Sequence, residues 1–210
     1  MLTREDARKL LSPFIDSISD DSINNLLAYL ELLLRWNRKI NLTSIRTAED
    51  CLTRHFGESF LLSKAIDLKG RLLDIGSGAG FPGLALKLIA PQLSVVLLEP
   101  VAKKRAFLKE ASRTCGMTAV QVDSRRLEEF SGSREAASFD IITARAVGGL
   151  ESLLPMAETL MSPRGCLCLW VGSGQLSEIR VQNPEFHWQE TLAIPLSQER
   201  QLLVGRRTCG

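Results

Sequence analysis

The residues of this chain whose types and spacing could do chemistry are concentrated in one run, Asp74-Ile75-Gly76-Ser77-Gly78-Ala79-Gly80-Phe81-Pro82-Gly83. It follows a short apolar stretch, Leu72 to Ile75, and carries a proline suited to the first turn of a helix. Glycines at this spacing allow a tight turn and close approach of a ligand to the backbone. A dinucleotide asks for G-x-G-x-x-G, with its pyrophosphate over the helix N-terminus. Read from Gly76 that pattern fails at Phe81, and it is met only from Gly78 through Gly80 to Gly83, late relative to the strand end. A carboxylate at Asp74 would repel a pyrophosphate but can pair with the ammonium of an amino-acid-bearing ligand. Glu99 closes a second apolar run 23 residues after Gly76, where an acid can accept both hydroxyls of a ribose. S-adenosylmethionine, which has the ammonium and the ribose and no phosphate, meets both demands.

The elements that must hold these residues are legible in the hydropathy pattern. From residue 71 on, short apolar runs at Leu72–Ile75, Val95–Leu98, Val120–Val122, Ile141–Thr143 and Leu167–Val171 alternate with helix-length segments. Continuous apolar runs of this kind imply parallel strands covered on both faces, hence an open α/β sheet whose ligands sit beyond the carboxyl ends of the strands. The tail from Phe186 to Arg207 offers two further strands with no helix between them and predicts a C-terminal antiparallel hairpin. The first 67 residues read as helical. A short helix is expected around residues 4–11. An amphipathic one spans 21–36 with Ile23, Leu26, Leu27, Leu30, Leu33 and Leu34 on one stripe behind Asp20 or Asp21 as cap. A third starts from a Thr47 cap with Asp50 three residues on and runs towards Ile66.

Composition sets the frame. Apolar residues make up 45% of the 210 positions and charged residues 24%, an ordinary globular balance that excludes disordered, collagen-like and coiled-coil classes. Glu31, Lys87 and Pro91 break the longest apolar stretches, so no window has the roughly 18 to 20 apolar residues of a membrane span. Acids at Glu5 and Asp6 occupy the place of the cationic stretch of a secretion signal, and the expectation is a cytoplasmic protein. Cys51, Cys115, Cys166, Cys168 and Cys209 lack zinc-type spacing and read as buried thiols, so no metal is expected. The net charge is only +2, but seven Lys/Arg stand against two acids between Lys103 and Arg126. Cations placed just after strand ends would hold the phosphates of a nucleic acid.

Taken together these residues resemble a known family, the guanine-N7 methyltransferases of small-subunit (16S) ribosomal RNA, also called glucose-inhibited division protein B. The likeness runs from Trp36-Asn37, Asn41-Leu42-Thr43-Ser44 and Arg54-His55, through the glycine loop with its Phe81-Pro82-Gly83 ending, to Lys103-Lys104, Arg126-Leu127-Glu128-Glu129-Phe130 and Arg145-Ala146. It implies a class I S-adenosylmethionine-dependent methyltransferase domain over residues 68–210, Rossmann-like with a mostly parallel seven-stranded sheet, behind an N-terminal helical extension over residues 1–67. Cofactor contacts carried over from the family fall on Gly76, Phe81, Leu127, Glu128 and Arg145, and they join Asp74, Ser77, Gly78, Gly80 and Glu99 from the loop reading. On spacing alone Asp123 rivals Leu127 and Glu128 for the adenine. RNA contacts would come from Lys103, Lys104, Arg126, Asn41 and His55. The chain departs from the family pattern at Glu58 and Glu99, usually Asp, at Ala144, often Ser, and at Val171, where Lys-Gly is common.

The implied reaction needs no general base, because guanine N7 carries an unprotonated lone pair, so positioning supplies the catalysis. Arg145 is the expected catalytic residue, and either it or Asn41 orients the base. The expected partner is 16S rRNA within the small ribosomal subunit, bound by a monomer away from any membrane. Three alternatives remain: a small-molecule methyltransferase using the same loop, an RNA-binding factor that keeps the pocket without turnover, and a NAD-dependent oxidoreductase, which Asp74 and Phe81 disfavour.

Overall fold

The computed structural model describes residues 2–132, 138–145 and 148–207. Ala146 and Cys209, both singled out above, lie outside these residues. Thr3 caps helix α1 (Arg4–Leu11), its hydroxyl accepting from Asp6 N while the Asp6 carboxylate accepts from Thr3 N. Helix α2 (Asp20–Ile40) is longer than the apolar stripe predicts. Its cap is Ser19, not Asp20 or Asp21, because the Ser19 hydroxyl is the group that accepts from Ser22 N. At the other end Asn41 adopts the left-handed conformation with φ of 43°, which stops the helix. Thr47 caps α3 (Ala48–Cys51) as expected, and the chain continues through a π-helical turn (Leu52–Gly57), α4 (Glu58–Phe60) and a 3₁₀ turn (Leu61–Lys64).

The strands are β1 (Arg71–Ile75), β2 (Ser94–Leu98), β3 (Val120–Asp123), β4 (Phe139–Arg145), β5 (Met161–Gly172), β6 (Phe186–Trp188), β7 (Leu192–Ala193) and β8 (Arg200–Arg207). Between them lie α5 (Gly83–Ile89), α6 (Ala102–Thr114), α7 (Leu127–Ser131), α8 (Leu150–Leu160) and α9 (Leu176–Gln182). The sheet order is β3-β2-β1-β4-β5-β8-β6, with β7 pairing onto β8. The first five strands are parallel, and β8 runs antiparallel to β5, β6 and β7. Among the described residues the two-residue β7 makes eight strands where seven were expected; it is too short to leave a periodic signal.

Because β1 lies between β2 and β4, connections leave it in opposite directions and open a crevice at its carboxyl end, where the glycine loop begins. One apolar cluster joins α1, α2 and the 47–66 segment to one face of the sheet and to α5 and α6. A second fills the other face beneath α7, α8 and α9. The helical extension thus packs directly on the site-bearing loop. Tyr29 of α2 is fully buried, and its hydroxyl donates to Ala79 O at 2.6 Å. Its ring stacks on Phe81 at 5.7 Å between centroids.

Tyr29→Phe removes a buried donor and leaves the Ala79 carbonyl without it, which costs about 1–3 kcal/mol. Denaturant unfolding should show a loss of that size with unchanged secondary structure. No loss would mean that the loop does not depend on the extension.

Candidate S-adenosylmethionine and RNA site

The loop is built on a buried carboxylate. Asp74 has no exposure; Thr143 Oγ1 donates to Asp74 Oδ1 at 2.8 Å and Gly83 N to Oδ2 at 3.2 Å. One side chain so ties β1 to β4 and to the start of α5. A Cβ on Gly83 would stand 2.6 Å from Asp74 Cβ, so only glycine lets α5 approach this closely. The ammonium contact expected for Asp74 is not what its position offers: enclosed and bonded on both oxygens, it supports the loop from beneath. Ser77 likewise turns inward, its hydroxyl donating to Asp74 O and its carbonyl accepting from Gly80 N. Gly80 has φ of 86° and a Cβ there would meet Tyr29 Oη at 2.1 Å, so it serves packing of the loop against α2.

Glu99, 3% exposed, bridges two strand ends, accepting from Gly78 N at 2.8 Å through Oε2 and from Val101 N through Oε1. Beside it a cavity of about 200 Å³ opens between the carboxyl ends of the strands. Ile75, Leu98, Pro100, Leu153 and Met156 give it apolar walls, and Gly76, Arg126, Leu127 and Glu128 line it too. Asp123, the rival for this place, does not line it; Arg125 grips both of its oxygens, one at 2.7 Å, and holds its pKa low. The wall also includes Gly148, Gly149 and Ser152, which the spacing of sequence motifs did not single out. Paired glycines just after β4 were the available signal.

Arg145 ends β4 on the other side of β1. Its guanidinium lies 3.0 Å from Glu58 Oε2 and donates to the carbonyls of Arg54 and His55, in the π-helical turn. Arg200 of β8 spans both oxygens of Glu58, 2.7 Å from Oε1 and donating to Oε2 at 2.8 Å. Glu58 is 2% exposed, and burial lifts its pKa against the pull of Arg145, Arg200 and Arg54. Neither Arg200 nor this pairing was predicted, since the partners lie 142 residues apart in the chain. His55 stacks on Phe81 at 4.6 Å, and its Nε2 meets Thr43 Oγ1 at 2.8 Å. Burial, reinforced by Arg145, Arg54 and Arg200, lowers its pKa to about 3, so it is neutral at physiological pH. Phe81 is itself 8% exposed, and its ring belongs to the core between His55 and Tyr29.

Of the expected RNA contacts, Lys103 and Arg126 are exposed and Lys104 is half-buried. Arg105, in the first turn of α6, is turned to the carbonyls of Glu99 and Pro100. Asn41 is exposed, accepts from Arg46 and lies outside the cavity wall. Among the described residues no His/Cys/Asp/Glu group could hold a metal, and no helix is long and apolar enough to cross a membrane.

The fold is shared with solved S-adenosylmethionine-dependent methyltransferases. One from Aquifex aeolicus superposes with a TM-score of 0.61 at 13% identity, over 76% of this chain and 93% of that one. An O-methyltransferase from Thermotoga maritima gives 0.59 at 15%, over 85% and 72%. The architecture is therefore that of the class I methyltransferases. Residues 22–204 match the profile of the GidB family, rRNA small subunit methyltransferase G. Curated relatives called ribosomal RNA small subunit methyltransferase G are 34% identical in Syntrophotalea carbinolica, over 97% of both chains, and 38% identical in Halorhodospira halophila, over 89% of this chain and 88% of that one. The chain belongs to this family.

Two buried groups set opposite pH dependences. Burial raises the Asp74 pKa from 3.8 to about 6, against hydrogen bonds from Thr143, Ser77 and Gly83. Between these values the folded state keeps a proton the unfolded state has lost, so stability falls as pH rises. His55, lowered from 6.5 to about 3, does the reverse in the same window. Asp74→Asn should therefore make unfolding free energy rise more steeply between roughly pH 4 and 6, by about 1.4 kcal/mol per pH unit. Urea titrations across that range check this; an unchanged slope would mean that Asp74 titrates normally.

Proposed function

We propose that this protein transfers a methyl group from S-adenosylmethionine to N7 of a guanine in 16S ribosomal RNA. Its family membership makes it an S-adenosylmethionine-dependent methyltransferase of small-subunit ribosomal RNA; the N7 position and the roles of individual residues are our reading. The observation that carries these roles is the cavity joining Gly76, Leu127 and Glu128 at the carboxyl ends of the parallel strands, with exposed Arg126 on its wall.

The cavity suits an adenosyl group. Apolar walls accept a flat ring, and Glu128 offers a carboxylate that can accept from an exocyclic amine. Glu99, at the next strand end, remains our candidate for the ribose, whose hydroxyls would have to share its carboxylate with the amides of Gly78 and Val101 that it already accepts from. At Gly78, with φ of 57°, a Cβ would meet only Gly76 O, at 3.8 Å, so the loop leaves open space on that side. The cofactor supplies a methyl group activated on a sulfonium. The chain's own residues bind, orient and exclude water. Arg145, held by Glu58 and two carbonyls outside the cavity wall, is a fixed cation beside the switch point, and we assign it to either the amino-acid end of the cofactor or the O6 edge of guanine. Guanine N7 has no proton to lose, which agrees with a site whose one histidine is neutral and enclosed. Lys103, Lys104 and Arg126 hold RNA phosphates at the rim, and the target base must leave its stack to enter. Small ribosomal subunits place this work in the cytoplasm, and a single chain supplies every residue invoked.

Calorimetry should show S-adenosylmethionine and S-adenosylhomocysteine binding, and Gly78→Asp should abolish both by placing a charged side chain in the loop. Tight NAD binding with no response to S-adenosylhomocysteine would overturn the cofactor reading. Mapping 7-methylguanine in 16S rRNA, with and without the protein, tests the position.

The double variant Lys103→Ala, Lys104→Ala should weaken subunit binding and flatten its dependence on salt, by somewhat under one logarithmic unit of slope for each phosphate no longer neutralised. Cofactor affinity should stay as in the parent chain. Normal methylation by the double variant at physiological salt would reduce this rim to a solvated helix face.

A further inference from the structure

Leucine is poorly suited to a backbone of positive φ, and one turn of this chain holds it there. Ser197 N donates to Ile194 O at 3.1 Å and closes a turn over residues 194–197, between β7 and β8. Proline in the second place and a positive φ in the third make a turn whose third residue is ordinarily glycine or asparagine. Here it is Leu196, with φ of 63°. The other non-glycine residues with positive φ among those described are Asn41, a type that tolerates it, and Ala119, which is small. The fold gives Leu196 no packing in return, since it is 78% exposed. Val101 and Val181 are exposed too, but they sit at the cap of α6 and within α9, with no such bend in the backbone.

The rest of the turn is anchored. Ile194 is buried and its N–H donates to Arg200 O. Ser197 Oγ accepts from Arg200 N and Nε, at 3.2 and 3.3 Å, and Ser173 N donates to Glu199 O. Leu196 is therefore carried outward on a fixed support. Because β8 starts opposite Gly172 at the end of β5, this support stands at the carboxyl edge of the parallel strands, the edge that bears the methyltransferase site. The two are linked, for the Arg200 guanidinium that reaches Ser197 also lies on Glu58, which Arg145 grips. Residues 194–199 include no cation, and Glu199 is exposed, so the turn does not attract a phosphate. What it offers an RNA is apolar surface for a base.

We propose that Leu196 is a wedge that enters the RNA beside the target guanine and fills the stack when that base turns into the site. The inference rests on the reading of this protein as a guanine methyltransferase of 16S rRNA and adds the group that helps the base to leave. Apolar side chains inserted between bases unstack them, and a base has to leave its stack before an enzyme can reach it. An anchored turn suits the task, because it has little freedom left to lose when the RNA arrives.

The test takes small ribosomal subunits from cells lacking the protein and measures kcat/KM for 7-methylguanine formation by the parent chain, Leu196→Gly and Leu196→Met. Glycine fits the turn without strain, so Leu196→Gly should fold and should bind S-adenosylhomocysteine as the parent does, yet lose at least about tenfold in kcat/KM. Leu196→Met keeps the apolar reach and should stay within about threefold of the parent. Subunit binding by Leu196→Gly should keep the parent's salt slope, since no phosphate contact is lost. In a chain with benzoylphenylalanine in place of Leu196, light should crosslink this position to 16S rRNA next to the methylated guanine. Parent-like turnover by Leu196→Gly would overturn the proposal, as would crosslinking to a ribosomal protein alone. Should the glycine chain not fold, Leu196→Asn, which also suits the turn, takes its place with the same expected loss. A parent chain that forms no 7-methylguanine would overturn the underlying reading, and the wedge with it.

Discussion

A carboxylate with 2% exposure cannot stay charged unless it is paired, and Glu58 is paired twice, with Arg145 and with Arg200. That requirement brings together the helical extension, the end of β4 and the C-terminal strand β8. Losing one partner of such a group costs about 3–5 kcal/mol, because the other charge is left buried and uncompensated. The arrangement is reinforced from the backbone: Trp170 of β5 donates to Glu58 O at 2.8 Å, and the carbonyls of Arg54 and His55 accept from Arg145. The π-helical turn over Leu52–Gly57 is where the extension meets the sheet, and wide turns of this kind favour functional positions. The consequence for the site is that Arg145 is held in place before any ligand arrives.

The same economy governs the glycine loop. It is held from beneath, through Asp74, and on its flank, through Tyr29, Phe81 and His55. Gly80 and Gly83 are required by close approach to a neighbour, whereas Gly78 leaves free space on the side where a ligand can come near. The extension is thus part of what shapes the glycine loop. This explains why the distinctive Asn37, Asn41 to Ser44 and His55 segment accompanies an ordinary methyltransferase sheet. Asn37 accepts from Thr43 N and donates to Ile45 O, Thr43 reaches His55, and His55 reaches Phe81 of the loop.

A site of this kind fits a reaction that needs alignment more than proton transfer. Its buried titratable groups are either paired, as Glu58 is, or, as with His55, held neutral. Its exposed charges are Glu128 on the cavity wall and cations at the rim. Preorganised positioning by a rigid scaffold is the contribution such a protein can make when the nucleophile is already unprotonated.

Much of this was readable in the chain itself. Apolar runs such as Leu72–Ile75 and Val95–Leu98 became parallel strands because a strand covered on both faces has to be apolar throughout. The Gly76-to-Gly83 loop and Glu99 landed at adjacent strand ends because sequence order and sheet order agree locally. The direction of side chains was not readable. Asp74, expected to face a ligand, turned beneath the loop because Thr143 and Gly83 N offered it partners from elements distant in sequence. Phe81 went to the core because Tyr29 and His55 were there to stack on it. Arg200 came to Glu58 only because β8 inserts beside β5. Local periodicity and turn chemistry depend on neighbours in the chain, so the sequence alone determined elements and loops. Which buried charge meets which partner depends on neighbours in space, and only the tertiary structure decided that.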